Sequence, residues 1–280
     1  MERTHSGDQS GPRFGFVAQT HTVEMPYDEA IERAGSLGFD FVEIVMDGAA
    51  ERRRLDEARI RSLSREHGVD VVVHLPFIDV ELGSPRELLT EASVTEMKRC
   101  IDTATRVGAE KGVIHPSTHS LAGRAWDEEE IYPTIIDSIN DIDEHASEAG
   151  FELCVENLGP AFPVAEFDRV FEGTDASMTL DTGHARIGGL ESEEQAAFVE
   201  EHLHRITHVH VNDTRVEEDE HLPAGMGTLD FRTIFAPMNE KGWSGTISLE
   251  IFTYNYSYVK YAKEHIDGVF DRSFVSEREG

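Results

Sequence analysis

The chain has 280 residues, enough for one large α/β barrel or two smaller domains with a sizeable buried core. Its 55 Asp+Glu stand against 25 Lys+Arg, a formal charge of −30, and the acids are spread along the whole chain rather than gathered in a tail. Such a coat describes a solvated surface and reads as adaptation to a salt-rich, halophilic cytoplasm; it also sets the global field against a polyanionic partner, so nucleic acid is not the expected ligand. No apolar run approaches the ~20 residues that a membrane span needs. The polar start, Met1 to Pro12, lacks the apolar stretch of a secretory leader, and a cytoplasmic location is expected. Two cysteines, Cys100 and Cys154, offer no disulfide framework and read as core thiols.

Residues 1–12 read as a disordered lead-in and 13–280 as one domain. Phe14 to Ala18 predicts a first strand. Pro26 with the acids Asp28 and Glu29 opens a helix, and Gly35 and Gly38 are expected to end it. Phe39 to Met46 predicts the second strand, and Leu55 to His67 a helix closed by Gly68. The unit then repeats. Further strands are predicted at Val69 to His74, Gly112 to His115, Phe151 to Glu156, Ala176 to Asp181, Ile206 to Val211 and Gly245 to Glu250. The helices between and after them are predicted at Arg86 to Val107, Asp127 to Ala149, Ala165 to Phe171, Glu193 to Leu203, Phe231 to Lys241 and Tyr256 to Val269. Short apolar strands alternating with helices form parallel sheets with right-handed crossovers. Eight such units at this length predict an α/β fold of the (β/α)₈ TIM-barrel type, for which about 250 residues is typical. An open doubly wound sheet is the alternative, but the first turn, Ala18-Gln19-Thr20-His21, lacks that fold's glycine-rich phosphate signature.

The C-terminal ends of barrel strands converge on one face, which carries the chemistry. Those ends deliver Glu43, His74, His115, Glu156, Asp181 (with His184 three residues on, in the loop), His210 and Glu250. The loop after strand seven adds Asp219 and His221. Taken singly, each has an ordinary explanation: a histidine at a strand end is a satisfied polar group, and a glutamate there caps the next helix. Taken together they do not, because carboxylates gathered without a cation would have to protonate at a cost of several kcal/mol. Imidazoles interleaved with carboxylates suit Zn²⁺, Mn²⁺, Co²⁺ or Fe²⁺ better than Ca²⁺. A metal site at the C-terminal face follows. His208 shares the face of His210 by the period of two and should lie one layer deeper. His67, His145, His202 and His204 fall on helical segments and read as surface residues.

With these residues in place, the chain resembles the xylose isomerase-like barrel superfamily, which contains sugar-phosphate isomerases and epimerases and the endonuclease IV type of abasic-site nuclease. The likeness rests on His74-Leu75-Pro76-Phe77, Glu156-Asn157-Leu158-Gly159, Asp181-Thr182-Gly183-His184, the block His208-Val209-His210-Val211-Asn212-Asp213 with Asp219-Glu220-His221, and Glu250. The isomerase and epimerase branch implies one divalent ion (Mn, Zn or Co) held by Glu156, Asp181, His210 and Glu250. Glu156 and Glu250 would then move a proton through an enediolate of a small sugar or sugar phosphate. His184, with Arg215 or His221, would orient hydroxyls or a phosphate, and Phe77 and Trp126 would line the pocket. The nuclease branch implies three ions. There His74 and His115 join Glu156 at the first, and His184, Asp219 and His221 hold the third. Two departures weigh against that branch: no histidine closes strand one, and the loop after strand two, Asp47-Gly48-Ala49-Ala50-Glu51, has no aromatic wedge for DNA. Arg52, Arg53 and Arg54 beyond it read as a solvated helix face. A barrel that binds sugar or metal without turnover is the non-enzymatic alternative. Barrels of this kind often pair, so a homodimer is the implied assembly.

Overall fold

Each strand presents apolar side chains on one face and a mixed set on the other, a pattern that a parallel sheet satisfies only when helices cover the apolar face. The computed structural model describes residues 11–18, 25–47, 55–116, 128–215, 218–253 and 255–270. Strands β1 (Arg13–Ala18), β2 (Phe41–Val45), β3 (Asp70–His74), β4 (Lys111–Ile114), β5 (Glu152–Glu156), β6 (Ser177–Asp181), β7 (Ile206–Val211) and β8 (Thr246–Leu249) form a closed parallel barrel in sequence order. β1 pairs with β8, which closes it. The predicted barrel is therefore the observed one.

The helices are α1 (Tyr27–Leu37), α2 (Glu57–His67), α3 (Glu87–Val107), α4 (Glu128–Glu148), α5 (Phe167–Gly173) after a 3₁₀ turn at Val164–Glu166, α6 (Thr182–Ile187), α7 (Ser192–His202), α8 (Phe231–Lys241) and α9 (Ser257–Phe270). Their ends follow from local chemistry. Asp56 and Asp230 accept first-turn N–H groups at the starts of α2 and α8, and Gly38, Gly68, Gly108 and Gly242 close α1, α2, α3 and α8 in the left-handed conformation. Among the described residues no helix is long and apolar enough to cross a membrane.

Two expectations are corrected. Gly35 does not end α1 but lies inside it, where a Cβ would come within 2.9 Å of the His67 Cβ; its role is close approach of α1 to α2. Asp181 to His184 is not a strand running into a loop, because α6 begins at Thr182 with Asp181 as its N-cap. Residues 1–10 of the predicted lead-in (1–12), Gln19 to His21, Arg52 to Arg54, and Ser117 to Trp126 lie outside the described residues.

Alternation along the strands sorts the core into two parts. Val209 and Val211 on β7, Met178 and Leu180 on β6 and Leu153 and Val155 on β5 belong to the apolar layer shared with the helices. Their neighbours His208, His210, Thr179, Asp181 and Glu156 are buried polar residues, and His210 reaches across to β2, β5 and the end of β8. The barrel axis is thus polar in its upper half, an expensive arrangement unless every group is paired.

Candidate functional site

β7 supplies the centre. Nδ1 of His210 lies 3.0 Å from Glu156 Oε1, 3.2 Å from Glu250 Oε2 and 3.9 Å from Asp181 Oδ2. One donor atom from each of these four residues lies within 4.8 Å of all the others. Each comes from the end of a different strand, β5, β6, β7 and β8, with Glu250 one residue past its strand.

Two further sets flank this cluster. On one side Glu156 Oε2 faces His74 Nε2 at 3.3 Å and His115 Nε2 at 3.1 Å. The Phe77 ring packs 5.3 Å from the His74 ring and 4.8 Å from that of His115. On the other side Asp219 bridges two histidines, with His184 Nε2 at 3.2 Å and His221 Nδ1 at 3.1 Å, and His221 Nε2 is 3.4 Å from Glu250 Oε2. His221 is held at φ 46°, in the left-handed region. For a non-glycine residue that conformation costs roughly 1–3 kcal/mol and persists only where its surroundings enforce it.

The local fold explains how Asp181 is aimed. As the α6 N-cap its Oδ1 accepts from the His184 N–H at 2.6 Å, and its Oδ2 accepts from Asn212 Nδ2 at 2.8 Å. Asn157 holds the Asp181 backbone from the β5 side, accepting from its N–H and donating to its C=O. The loop bearing Asp219 and His221 is tied down by a buried carboxylate: Asp213 accepts from the N–H groups of Thr214, Gly225, Gly227 and Leu229.

The electrostatics show what this cluster lacks. Burial alone would raise the Glu156 and Glu250 carboxyls, but His210, together with His115 for Glu156 and His221 for Glu250, holds both well below the usual carboxylate range. Asp181 goes the other way, pushed up to about 7 by burial, with Glu250 and Glu156 adding to it against the pull of His184. Burial disfavours the imidazolium forms of His210, His184 and His221, yet the surrounding carboxylates raise all three, His221 to about 10. In the protein alone, protons on imidazoles offset the buried carboxylates. A divalent cation would meet the same need, and the buried Nδ1 of His115 has no hydrogen-bond partner. The donor set of imidazoles and carboxylates fits a borderline divalent metal.

Residues 31–271 match the family described as xylose isomerase-like TIM barrel. The chain belongs to that family. Within the xylose isomerase-like barrels, it is 27% identical over 235 residues to an uncharacterised protein of Methanocaldococcus jannaschii, covering 79% of this chain and 78% of that one. An inosose dehydratase of Serratia proteamaculans is 27% identical over 44% of this chain and 48% of its own length. Among solved structures, a D-tagatose 3-epimerase-like protein superposes with a TM-score of 0.81 at 25% identity, covering 96% of this chain and all of the other. Endonuclease IV from Thermus thermophilus shares the fold, with a TM-score of 0.69 at 21% identity over 92% of this chain and 98% of its own.

As a member of this family the chain brings most of its sequence-predicted residues to one place. Glu156, Asp181, His210, Glu250, His74, His115, His184, Asp219, His221 and Phe77 all meet around the upper barrel. Arg215 does not join them: its side chain is 67% exposed and its guanidinium is paired with Glu220. Sequence reading undervalued Glu43, which lies in the middle of β2, fully buried, 3.1 Å from Nε2 of both His208 and His210. It passed over the asparagines Asn157 and Asn212. The signal for all three was present, since each is a polar residue in or directly after an otherwise apolar strand run.

Proposed function

We propose that this protein is a divalent-metal-dependent epimerase or isomerase of a small keto sugar. The observation that carries the reading is the convergence of Glu156 and Glu250, from strands on either side of Asp181 and His210, on the single nitrogen Nδ1 of His210. Glu156, Asp181, His210 and Glu250 would hold the ion. A metal bound there would supply Lewis acidity, polarising the sugar's carbonyl and acidifying the adjacent C–H.

The protein's own groups do the rest. Both glutamates are ionised at neutral pH and are ready to accept a proton. One takes the proton alpha to the carbonyl, leaving an enediolate of the sugar; the other, having first taken a proton from solvent, delivers it to the opposite face of that carbon and inverts it, and the first then releases its proton to solvent. Removal of the proton from the same face by one residue alone would regenerate the starting epimer, so the two-sided placement is what produces inversion. Asp219 fixes His184 and His221 at one rim, where their N–H groups can orient sugar hydroxyls, and the Phe77 ring screens His74 and His115 at the other. The same first proton transfer would also open a dehydration, the reaction named for the inosose dehydratase relatives.

Steady-state kinetics on a panel of ketoses test this directly. Glu156→Gln and Glu250→Gln should each lower turnover by about 10²–10⁴-fold, the usual worth of a positioned acid or base. Retention of turnover by both variants refutes the two-acid scheme.

A second reading is favoured by one specific feature: the flanking sets His74–His115–Glu156 and Asp181–His184–His221 each gather donor atoms within 4.8 Å, so the mouth could hold three ions. Three metals suit phosphodiester hydrolysis, with metals stabilising both the entering and the leaving oxygen. Incision of an abasic-site duplex in high salt, with three Zn²⁺ per chain, would establish it. The charge of −30 opposes it.

A further inference from the structure

Below the cluster, a line of hydrogen bonds crosses the barrel to its floor. Lys111 Nζ on β4 lies 3.3 Å from Thr246 Oγ1 on β8. Thr246 Oγ1 lies 2.6 Å from His208 Nδ1 on β7. His208 Nε2 is 3.1 Å from Glu43 Oε2, and Glu43 Oε1 is 3.1 Å from His210 Nε2. Ser248 donates to Glu43 Oε2 as well. Apart from Lys111, whose side chain is 14% exposed, the side chains named here in the polar centre, Glu43, His208, His210 and Ser248, are fully buried.

The direction of this chain follows from its ends. An ammonium group can only donate, so Thr246 Oγ1 accepts from Lys111. The threonine has one proton to give. At the other end the Glu43 carboxylate can only accept from His208 Nε2, so a neutral His208 keeps its lone pair on Nδ1, 2.6 Å from the threonine hydroxyl. His208 Nδ1 therefore accepts, which leaves the ring proton on Nε2, where it is donated to Glu43. A carboxylate has no proton to return, so the Glu43 oxygen facing His210 must also accept, and the donor is the Nε2–H of His210. Nδ1 of His210, which faces Glu156, Asp181 and Glu250, is then the nitrogen that would give up its proton to a metal held there.

We propose that Glu43 is a positioning residue that fixes His210 as the Nε2-protonated tautomer, with Nδ1 presented to the metal cradle. The inference deepens the metal-site reading of the previous subsection and rests on it. Carboxylates that accept the second N–H of a metal-binding imidazole orient the ring and raise its basicity, and their loss typically costs about 10–100-fold in metal affinity. In this barrel the carboxylate lies on β2, on the far side of His210 from the cradle, 167 residues away in sequence.

The test uses full-length protein stripped with EDTA and titrated with Zn²⁺ alone. In the zinc-loaded wild type, long-range ¹H–¹⁵N spectra of ¹⁵N-histidine-labelled protein should show His210 and His208 both protonated at Nε2. A proton on Nδ1 of either ring overturns the proposal, and this arm needs no variant. By calorimetry, Glu43→Gln should bind Zn²⁺ at least about tenfold more weakly than wild type. Glu43→Asp, which keeps the charge but shortens the side chain, should recover part of that loss. A purely structural role predicts the reverse order, because glutamine preserves the shape and aspartate does not. Zinc affinity of Glu43→Gln within about twofold of wild type, or Glu43→Asp weaker than Glu43→Gln, overturns the proposal while leaving the metal-site reading intact. Failure of the wild type to take up Zn²⁺ sinks both.

Discussion

Gly183 sits in the first turn of α6 with Asn212 pressed against it. A Cβ built at Gly183 would lie 1.7 Å from Asn212 Oδ1 and 2.8 Å from its Cγ. Asn212 is fully buried, its Oδ1 has no hydrogen-bond partner, and its Nδ2 donates to Asp181 Oδ2 at 2.8 Å. Gly183→Ala therefore has to push Asn212 off Asp181. Overpacking a core by a methyl costs about 1–3 kcal/mol. Leaving the buried Asn212 amide without its Asp181 partner costs about 1–3 kcal/mol. Alanine's better helix propensity returns up to about 1 kcal/mol. The net loss should be about 1–6 kcal/mol, which at 2–4 °C per kcal/mol for chains of roughly this size lowers Tm by about 2–24 °C. Differential scanning calorimetry of the EDTA-treated protein measures it. A double-mutant cycle with Asn212→Ala assigns the cause, because once the asparagine side chain is gone the alanine methyl has room. The coupling should be about 1–3 kcal/mol. An unchanged Tm for Gly183→Ala, or costs that simply add in the double variant, would refute the reasoning.

Metal should stabilise the fold. At a free Mn²⁺ or Zn²⁺ concentration of about 100 times Kd, mass action adds about 2.7 kcal/mol, and Tm should rise by about 5–10 °C over the EDTA-treated protein; no rise at any concentration contradicts a metal site in the native state. Asp213→Asn puts a donor in place of either Oδ2, which takes the N–H groups of Gly225 and Gly227, or Oδ1, which takes those of Thr214 and Leu229. Hydrogen exchange followed by mass spectrometry should show the loop from 218 to 229 losing protection well before the barrel strands. At the barrel floor, burial tends to raise Glu152, but Lys111 and its hydrogen-bond partners hold it below its ordinary 4.5. A lowered folded-state value gives stability that is present above the unfolded value and is lost as pH falls through the folded one. Lys111→Met should therefore cost stability at pH 7 and flatten the acid limb of the Tm–pH curve; an acid limb as steep as that of the wild type would argue against the pair's role.

The parts of the fold that sequence shows are those written locally. β7 and α8 begin and end where their residues predict, the helix because Asp230 caps it and Gly242 closes it. α6 escaped because six residues containing a glycine have no apolar period to display, although its N-cap, Asp181, was the very residue singled out as a ligand. Gly35 was misjudged because a glycine required by a neighbouring helix looks the same in sequence as one that ends its own. At the site, strand position was enough to gather the carboxylates and histidines, since a barrel brings every strand end to one face. What strand position does not show is register across the barrel. Glu43 lies opposite His208 and His210 because of how eight staggered strands close, and no local pattern encodes that partnership. Arg215 illustrates the opposite difficulty: a loop cation five residues from Glu220 satisfies itself locally, and only the loop's path shows that it faces solvent.

The most direct test of the proposed function is solvent exchange at the substrate. The metal-loaded wild-type protein is incubated in D₂O with a panel of ketoses and the products are read by NMR. The account predicts that at least one sugar is converted to its epimer or isomer and that the product carries solvent deuterium at the carbon where the proton was removed. A product that retains its original hydrogen at that carbon, or a panel on which no exchange occurs, would contradict proton removal and return by Glu156 and Glu250.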